Sequence, residues 1–137
     1  MEDKSKFVMY VKGAAEQILS LCTQCMTKEG HAETLTEKHT NSILSAMDAM
    51  TRSGLRCLAV CYRSYRVDEI PFKSTVSYKL EDNDAECLFT DMTWICCVGI
   101  ADPVRPEVPD AVATCQRAGI VVRMVTGDHL ETAKHIA

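Results

Sequence analysis

Val121-Val122-Arg123-Met124-Val125-Thr126-Gly127-Asp128 reads as a buried strand running into a tight turn, with a helix opening at once from His129. A strand that stops at Thr126-Gly127-Asp128 sets a hydroxyl, a bare backbone and a carboxylate beside a helix N-terminus. That is where α/β folds place phosphates and their metal. The same triplet also reads as an ordinary strand-to-helix turn with Asp128 as N-cap. What lies before it bears on the choice.

The chain has 137 residues, 47% of them hydrophobic and 25% charged. This is globular composition, with room for one domain or pieces of two. A formal net charge of -4 offers no basic face for nucleic acid. The longest apolar run, Trp94 to Ala101, is far short of the roughly 20 residues that span a bilayer. Met1-Glu2-Asp3-Lys4 leads into mixed polar sequence and shows no signal peptide. Eight cysteines are present, and six lie in apolar-patterned segments, where free cysteine behaves as a small hydrophobe. A reduced, cytosolic setting fits them better than a disulfide scaffold.

Before the quoted stretch, Phe7 to Val11 reads as a strand ending at Lys12-Gly13. A helix is expected over Ala14 to Cys25, with Ile18, Leu19, Cys22 and Cys25 on one face. The glycine marks the turn and lets a ligand approach beside Lys12. Thr34 and Glu37 form a T-x-x-E capping box for a helix to about Ser53, with Ile43, Leu44, Met47 and Met50 on its apolar face. Gly54 stands where a glycine ends a helix, with Leu55 as the contact beyond.

Leu55 to Tyr62 is an apolar strand with one charge, Arg56, near its start. That guanidinium needs a partner, either an acidic side chain or a phosphate. Ser64 to Asp91 reads as a surface loop or linker. Its acidic cluster Glu81-Asp82-Asn83-Asp84 lacks the alternation and glycine of a calcium loop. Met92 to Ile100 is a strand expected to be buried on both faces, followed by the proline-marked link Ala101 to Pro106. Glu107 to Ala118 is a helix closed by Gly119, and Ile120 to Thr126 is the next strand. Asp128 and Glu131 open a last helix still running at Ala137, which reads as an excerpt of a longer chain.

Four features now stand in order: Lys12-Gly13-Ala14-Ala15-Glu16, Leu55-Arg56-Cys57-Leu58-Ala59, Asp102-Pro103-Val104-Arg105 and Thr126-Gly127-Asp128. In this order they resemble the headpiece of P-type ion-pumping ATPases. The runs Asp102 to Pro109, Cys115 to Ile120 and Val122 to Asp128 are similar to the plasma-membrane calcium type. The sarcoplasmic-reticulum type typically has prolines where Val104 and Ala15 stand.

The resemblance implies an α/β architecture in two parts. Residues 1–100 would be an α+β portion of a nucleotide-binding domain. Residues 101–137 would begin a βαβ portion of a haloacid-dehalogenase-like phosphorylation domain. It implies that Lys12 and Gly13 line an ATP pocket, that Arg56 contacts phosphates and that Leu58 lies near the nucleotide. Asp102 and Arg105 match the hinge between domains. Thr126, Gly127 and Asp128 match the loop beside the phosphorylated aspartate, with Asp128 orienting the site and not ligating metal. The chain contains no D-K-T-G-T and no G-D-G-x-N-D, so the phosphoryl-accepting aspartate and the Mg²⁺ ligands would lie elsewhere. The implied intact protein couples ATP hydrolysis, through an aspartyl-phosphate, to calcium export. It sits in the plasma membrane or an intracellular calcium store, with transmembrane segments and any regulatory partner outside this chain.

Three other readings compete. Cys22-x-x-Cys25 with His31 and His39 has zinc-knuckle spacing, although both cysteines would fall on an apolar helical face. The chain by itself can also be a catalytically inactive nucleotide-binding or regulatory fragment. A piece of a haloacid-dehalogenase-like phosphatase is the third, against which Lys12-Gly13-Ala14-Ala15-Glu16 speaks.

Overall fold

A computed structural model describes residues 6–66 and 88–137. The acidic cluster at 81–84 lies outside the described residues. The chain divides into two compact units, one made of Met1–Ile43 and Leu58–Val98, the other of Leu44–Cys57 and Gly99–Ala137. Five strands, β1 (Lys6–Ala14), β2 (Cys22–Met26), β3 (Ala32–Thr34), β4 (Arg56–Arg66) and β5 (Met92–Ile100), form one sheet in the order β1-β4-β5-β2-β3. The helices are α1 (Ala15–Ser20), α2 (Glu37–Arg52), α3 (Val108–Arg117) and α4 (Leu130–Ile136). This mixed sheet with helices is of the α/β class.

The first unit rests on an antiparallel ladder in which Lys6 pairs with Arg66 and Ala14 with Leu58. Alternation sorts its side chains onto two faces. Ala59, Cys61 and Tyr65 are buried on one face, and a Cβ added at Gly13 on that face would lie 3.5 Å from Ile18 Cδ1 of α1. Gly13 is therefore a strand residue packed under a helix, not the turn its sequence context suggests. β1 runs through to Ala14, and the chain enters α1 without an intervening loop.

The helix expected over Ala14 to Cys25 stops after one and a half turns. β2 starts at Cys22, pairing parallel with β5 and antiparallel with β3. The Met92 N–H donates to the Leu21 carbonyl at 3.0 Å. These ladder bonds outweigh the helical apolar periodicity, as tertiary context commonly does. Cys22 and Cys25 are buried as expected, but from a strand.

Around them Ile18, Leu19, Leu88, Met92 and Trp94 complete the core. The Tyr65 hydroxyl donates to the Leu88 carbonyl. The Arg63 guanidinium donates to the Thr90 carbonyl at 2.6 Å and lies over the Tyr65 ring. Only the first half of β5 is buried, so the expectation of burial on both faces fails from Cys96 onward.

Helix α2 begins two residues later than its sequence box suggests. Thr36, not Thr34, caps it: Thr36 Oγ1 accepts from the His39 N–H, and His39 Nδ1 accepts from the Thr36 N–H. This is the reciprocal geometry of a capping box with histidine in the glutamate position. Thr34 is held in β3 instead.

In the second unit α2 ends as expected. Gly54 has φ +76°, its N–H bonds the Thr51 carbonyl, and the Leu55 N–H bonds the Met50 carbonyl at 3.0 Å. That pair of bonds is a Schellman stop. Gly119 ends α3 with the same pattern, to Gln116 and Cys115.

Ile120 to Thr126 is not a strand, and the expected βαβ portion does not form among the described residues. A strand exists only through ladder partners. β5, the strand before the expected boundary, is committed to the sheet between β4 and β2. Val121 and Val125 stay 75% and 94% exposed. Asp128 is not the N-cap of α4: His129 is, its Nδ1 accepting from the Glu131 N–H at 3.3 Å. Thr132, buried on α4, donates to the Leu55 carbonyl at 3.1 Å.

Gly54→Ala should cost more than Gly30→Ala in urea unfolding. Both have positive φ, a penalty of about 1–2 kcal/mol for a non-glycine residue. Only at Gly54 does the new Cβ also overlap a side chain, that of His135 at 2.2 Å, whereas Gly30 faces open space. Equal losses would place His135 elsewhere.

Burial pushes the Cys22 thiol from 9.0 up to about 12, and the Cys61 and Tyr65 protons are also held longer by burial. The folded chain then binds more protons than the unfolded chain above pH 9. Stability should be full below pH 9 and fall as pH rises towards 12, by about 1 kcal/mol per pH unit from Cys22. Urea midpoints at pH 8 and pH 10 read this directly.

Candidate functional site

Lys12, Gly13 and Leu58 meet on the β1–β4 ladder. Lys12 pairs with Val60, Gly13 with Ala59 and Ala14 with Leu58. Paired residues share a face, so Lys12 stands on the same face as Leu58 and Val60, opposite the one covered by α1. Tyr10 and Tyr62 continue that face, their ring centroids 6.1 Å apart. Lys12 is exposed, and Leu58 and Val60 are half-buried. A cation beside a partly open apolar surface suits a ligand with a flat apolar part and an anionic part.

Arg56, Thr126 and Asp128 come together within the second unit. Arg56 Nε lies 2.7 Å from Asp128 Oδ1. Thr126 Oγ1 donates to Asp128 Oδ2 at 3.0 Å and accepts from the Asp128 N–H at 3.1 Å. Both carboxylate oxygens of Asp128 thus have partners, and its side chain is only 19% exposed. Of the two partners open to Arg56 from sequence, the acidic side chain is the one seen. The pair engages one of the five N–H donors of a guanidinium, and Arg56 remains 55% exposed, so it retains donors for an anion. No Cβ-sized obstacle lies near Gly127, and its backbone is open to approach.

Behind this turn is an open cleft of about 480 Å³, lined by Met124, Val125, Leu130 and Ala133 with Thr126, Asp128 and Lys134. Lys134 bonds Glu131 at 2.8 Å and holds that carboxyl below its ordinary value. The sequence reading missed this cleft because it assigned Met124 and Val125 to a buried strand. Asp102 and Arg105 lie in the exposed link before α3.

One group of mixed ligand chemistry occurs among the described residues: Cys25, Glu33 and His39, with ligand atoms within 4.8 Å of one another. Cys22 is not part of it; its thiol donates to the Ile18 carbonyl at 3.1 Å. His31 is exposed on the β2–β3 turn. Mg²⁺ demands near-octahedral oxygen ligands, and a thiol and an imidazole do not suit it. Asp128, engaged by Arg56 and Thr126, does not suit it either.

Residues 1–107 match the family described as P-type ATPase, cytoplasmic domain N. The chain belongs to the P-type ATPases. Among curated relatives, this P-type ATPase chain is 45% identical over 130 residues to plasma membrane calcium-transporting ATPase 4 of Bos taurus, covering 94% of the chain and 10% of that protein. It is 42% identical over 132 residues to the Homo sapiens protein of the same name, covering 96% and 10%. With plasma membrane calcium-transporting ATPase mca-1 of Caenorhabditis elegans the identity is 40% over 138 residues, covering 94% and 11%. The chain spans about a tenth of the length of the curated relatives it matches. No helix among the described residues is long and apolar enough to cross a membrane.

A double-mutant cycle on Arg56→Ala and Asp128→Ala in this P-type ATPase chain should return a coupling of about 0.5–1 kcal/mol in unfolding free energy, the upper part of the range for exposed ion pairs. Additive losses would mean that the pair contributes nothing.

Proposed function

We propose that this chain is the ATP-handling part of a calcium-exporting P-type pump. Residues 1–100 belong to the nucleotide-binding domain, and residues 101–137 begin the second segment of the phosphorylation domain. Lys12 and Gly13 border the nucleotide, Leu58 packs beside it and Arg56 neutralises phosphate charge. The Gly127 backbone donates to the phosphoryl group in transfer, and Thr126 does so once its single hydroxyl proton turns to that group from Asp128, which otherwise holds it. Such transfers are driven mainly by positioning and charge neutralisation, which is what these residue types supply.

The observation that carries this reading is the exposed Lys12 on the same ladder face as Leu58 and Val60, with Tyr10 and Tyr62 beside them. Calcium as the cargo, Mg²⁺ as the companion of ATP, and a plasma-membrane or calcium-store location are carried by similarity to relatives named as calcium-transporting ATPases. Regulatory partners of the intact pump would act through segments outside this chain. The absence of D-K-T-G-T from these 137 residues favours a second statement about the chain itself: it binds nucleotide without turning it over.

Titration of the chain with ATP tests the assignment. Lys12→Ala and Arg56→Ala should each weaken binding by about 1.5–3 kcal/mol, the range for hydrogen bonds to charged groups. Thr126→Ala should leave nucleotide affinity unchanged, since its role is in transfer. Unchanged affinity in Arg56→Ala would remove Arg56 from the nucleotide site, and acid-stable phosphorylation of the chain by ATP would overturn the second statement.

A further inference from the structure

The cysteine and histidine positions that suggested a zinc knuckle are rearranged by the fold into a different set. Cys25 on β2 and Glu33 on β3 are a directly opposed antiparallel pair. Opposed residues project from the same face with their Cβ atoms about 5 Å apart. His39 is brought to the same place by the first turn of α2, where its backbone N–H is capped by Thr36. The result joins three elements: Cys25 Sγ lies 3.5 Å from His39 Nδ1, and His39 Nε2 lies 3.6 Å from Glu33 Oε1.

We propose that Cys25, His39 and Glu33 form a binding site for a thiophilic divalent cation of the Zn²⁺ class. Ligand types and spacing both favour such an ion. Thiolate, imidazole and carboxylate are the three donors that Zn²⁺ takes from proteins. Zn–S near ~2.3 Å and Zn–N near ~2.05 Å at a tetrahedral angle require a sulfur-to-nitrogen edge of about 3.5 Å. The Cys25 Sγ to His39 Nδ1 distance already has that value.

The Thr36 N–H donates to Nδ1 at 3.4 Å, which fixes the proton of the neutral ring on Nε2; the single Nδ1 lone pair is taken by that N–H, with Cys25 Sγ 3.5 Å from the same nitrogen. That bond is long, so an ion can replace it at small cost. Glu33 is half exposed at 51%, and its carboxylate is free to turn from Nε2 to the ion as third ligand. Cys25 is buried beneath, so the remaining coordination position faces solvent and takes water. On binding, the Cys25 S–H bond breaks, the sulfur keeps the electron pair that it donates to the ion, and the proton goes to solvent. The ion then ties β2, β3 and the start of α2 together.

The reduced 137-residue chain titrated with Co²⁺, then with Zn²⁺, tests the site. Tetrahedral Co²⁺ absorption with a thiolate-to-cobalt charge-transfer band, saturating at one equivalent and displaced by Zn²⁺, is the expected result. Cys25→Ser should remove the charge-transfer band, and His39→Gln should abolish stoichiometric binding. Glu33→Gln should weaken it by at least the roughly 10-fold that loss of a partner behind the ligands costs. Cys22→Ser and His31→Gln should bind as the parent does, because neither side chain belongs to the cluster. Circular dichroism checks that each variant is folded. If Cys25→Ser or His39→Gln disturbs the fold, the exposed Glu33→Gln decides alone. The proposal is overturned by absence of the charge-transfer band at stoichiometric Co²⁺. Undiminished binding in Glu33→Gln, or loss of binding in Cys22→Ser, overturns it equally.

Discussion

The antiparallel ladder from Lys6–Arg66 to Ala14–Leu58 is the constraint on which the described structure depends. Its nine paired positions fix which side of every β1 and β4 side chain faces the core, because a one-residue slip would exchange the faces. Cys61, Ala59 and Tyr65 then go under α1 and the strand neighbours, and Lys12, Leu58, Tyr10 and Tyr62 are left on the opposite face. β5 lies on the other side of β4, and β2 pairs with β5. Cysteine placement follows from that order. Cys22 and Cys61 sit in the core, where burial keeps their thiols protonated. No disulfide joins the described cysteines, and the buried Cys22 and Cys61 serve as small apolar side chains.

The second unit is held by polar contacts more than by apolar burial. Met47, Thr51, Thr132 and Ala133 are its buried side chains among the described residues, and α3 buries none. Its specificity comes from directed bonds. The Schellman stop at Gly54 presents the Leu55 carbonyl to Thr132, and Arg56 meets Asp128, which in turn holds Thr126. A partly exposed ion pair adds little stability, so its main effect is on geometry. It sets the direction of the Asp128 carboxylate and so the place of the Thr126 side chain, whose single hydroxyl proton rests on Asp128 until another acceptor takes it. For a group whose proposed task is to donate to a transferring phosphoryl oxygen, direction matters more than binding strength.

Much of this was legible in the chain. Gly54 and Gly119 end their helices as their positions implied, since only glycine takes φ +76° without strain. Met92 to Ile100 has the bounds read from its apolar run, and the ordered motifs Lys12-Gly13, Arg56-Cys57-Leu58 and Thr126-Gly127-Asp128 identified the family. The misreadings share a cause. Cys22 and Cys25 are spaced for a helix face yet sit in a strand, because β5 and β3 offered ladder bonds that no local pattern records. Ile120 to Thr126 has every local mark of a strand and is none, because no partner strand pairs with it among the described residues. Asp128 looked like an N-cap until Arg56 claimed its carboxylate and His129 took the cap.

Sequence alone determined the composition class, the glycine helix stops at Gly54 and Gly119, the strand at Met92 to Ile100 and the family, all properties carried by residue type and local order. Tertiary structure decided what depends on partners distant in the chain. It set the register that exposes Lys12 beside Leu58, the choice of Asp128 as the partner of Arg56, and the meeting of Cys25, Glu33 and His39. The physical reason is that hydrogen-bond ladders and ion pairs join residues whose separation along the chain says nothing of their separation in space. A local pattern can state that a group needs a partner, and only the fold can supply one.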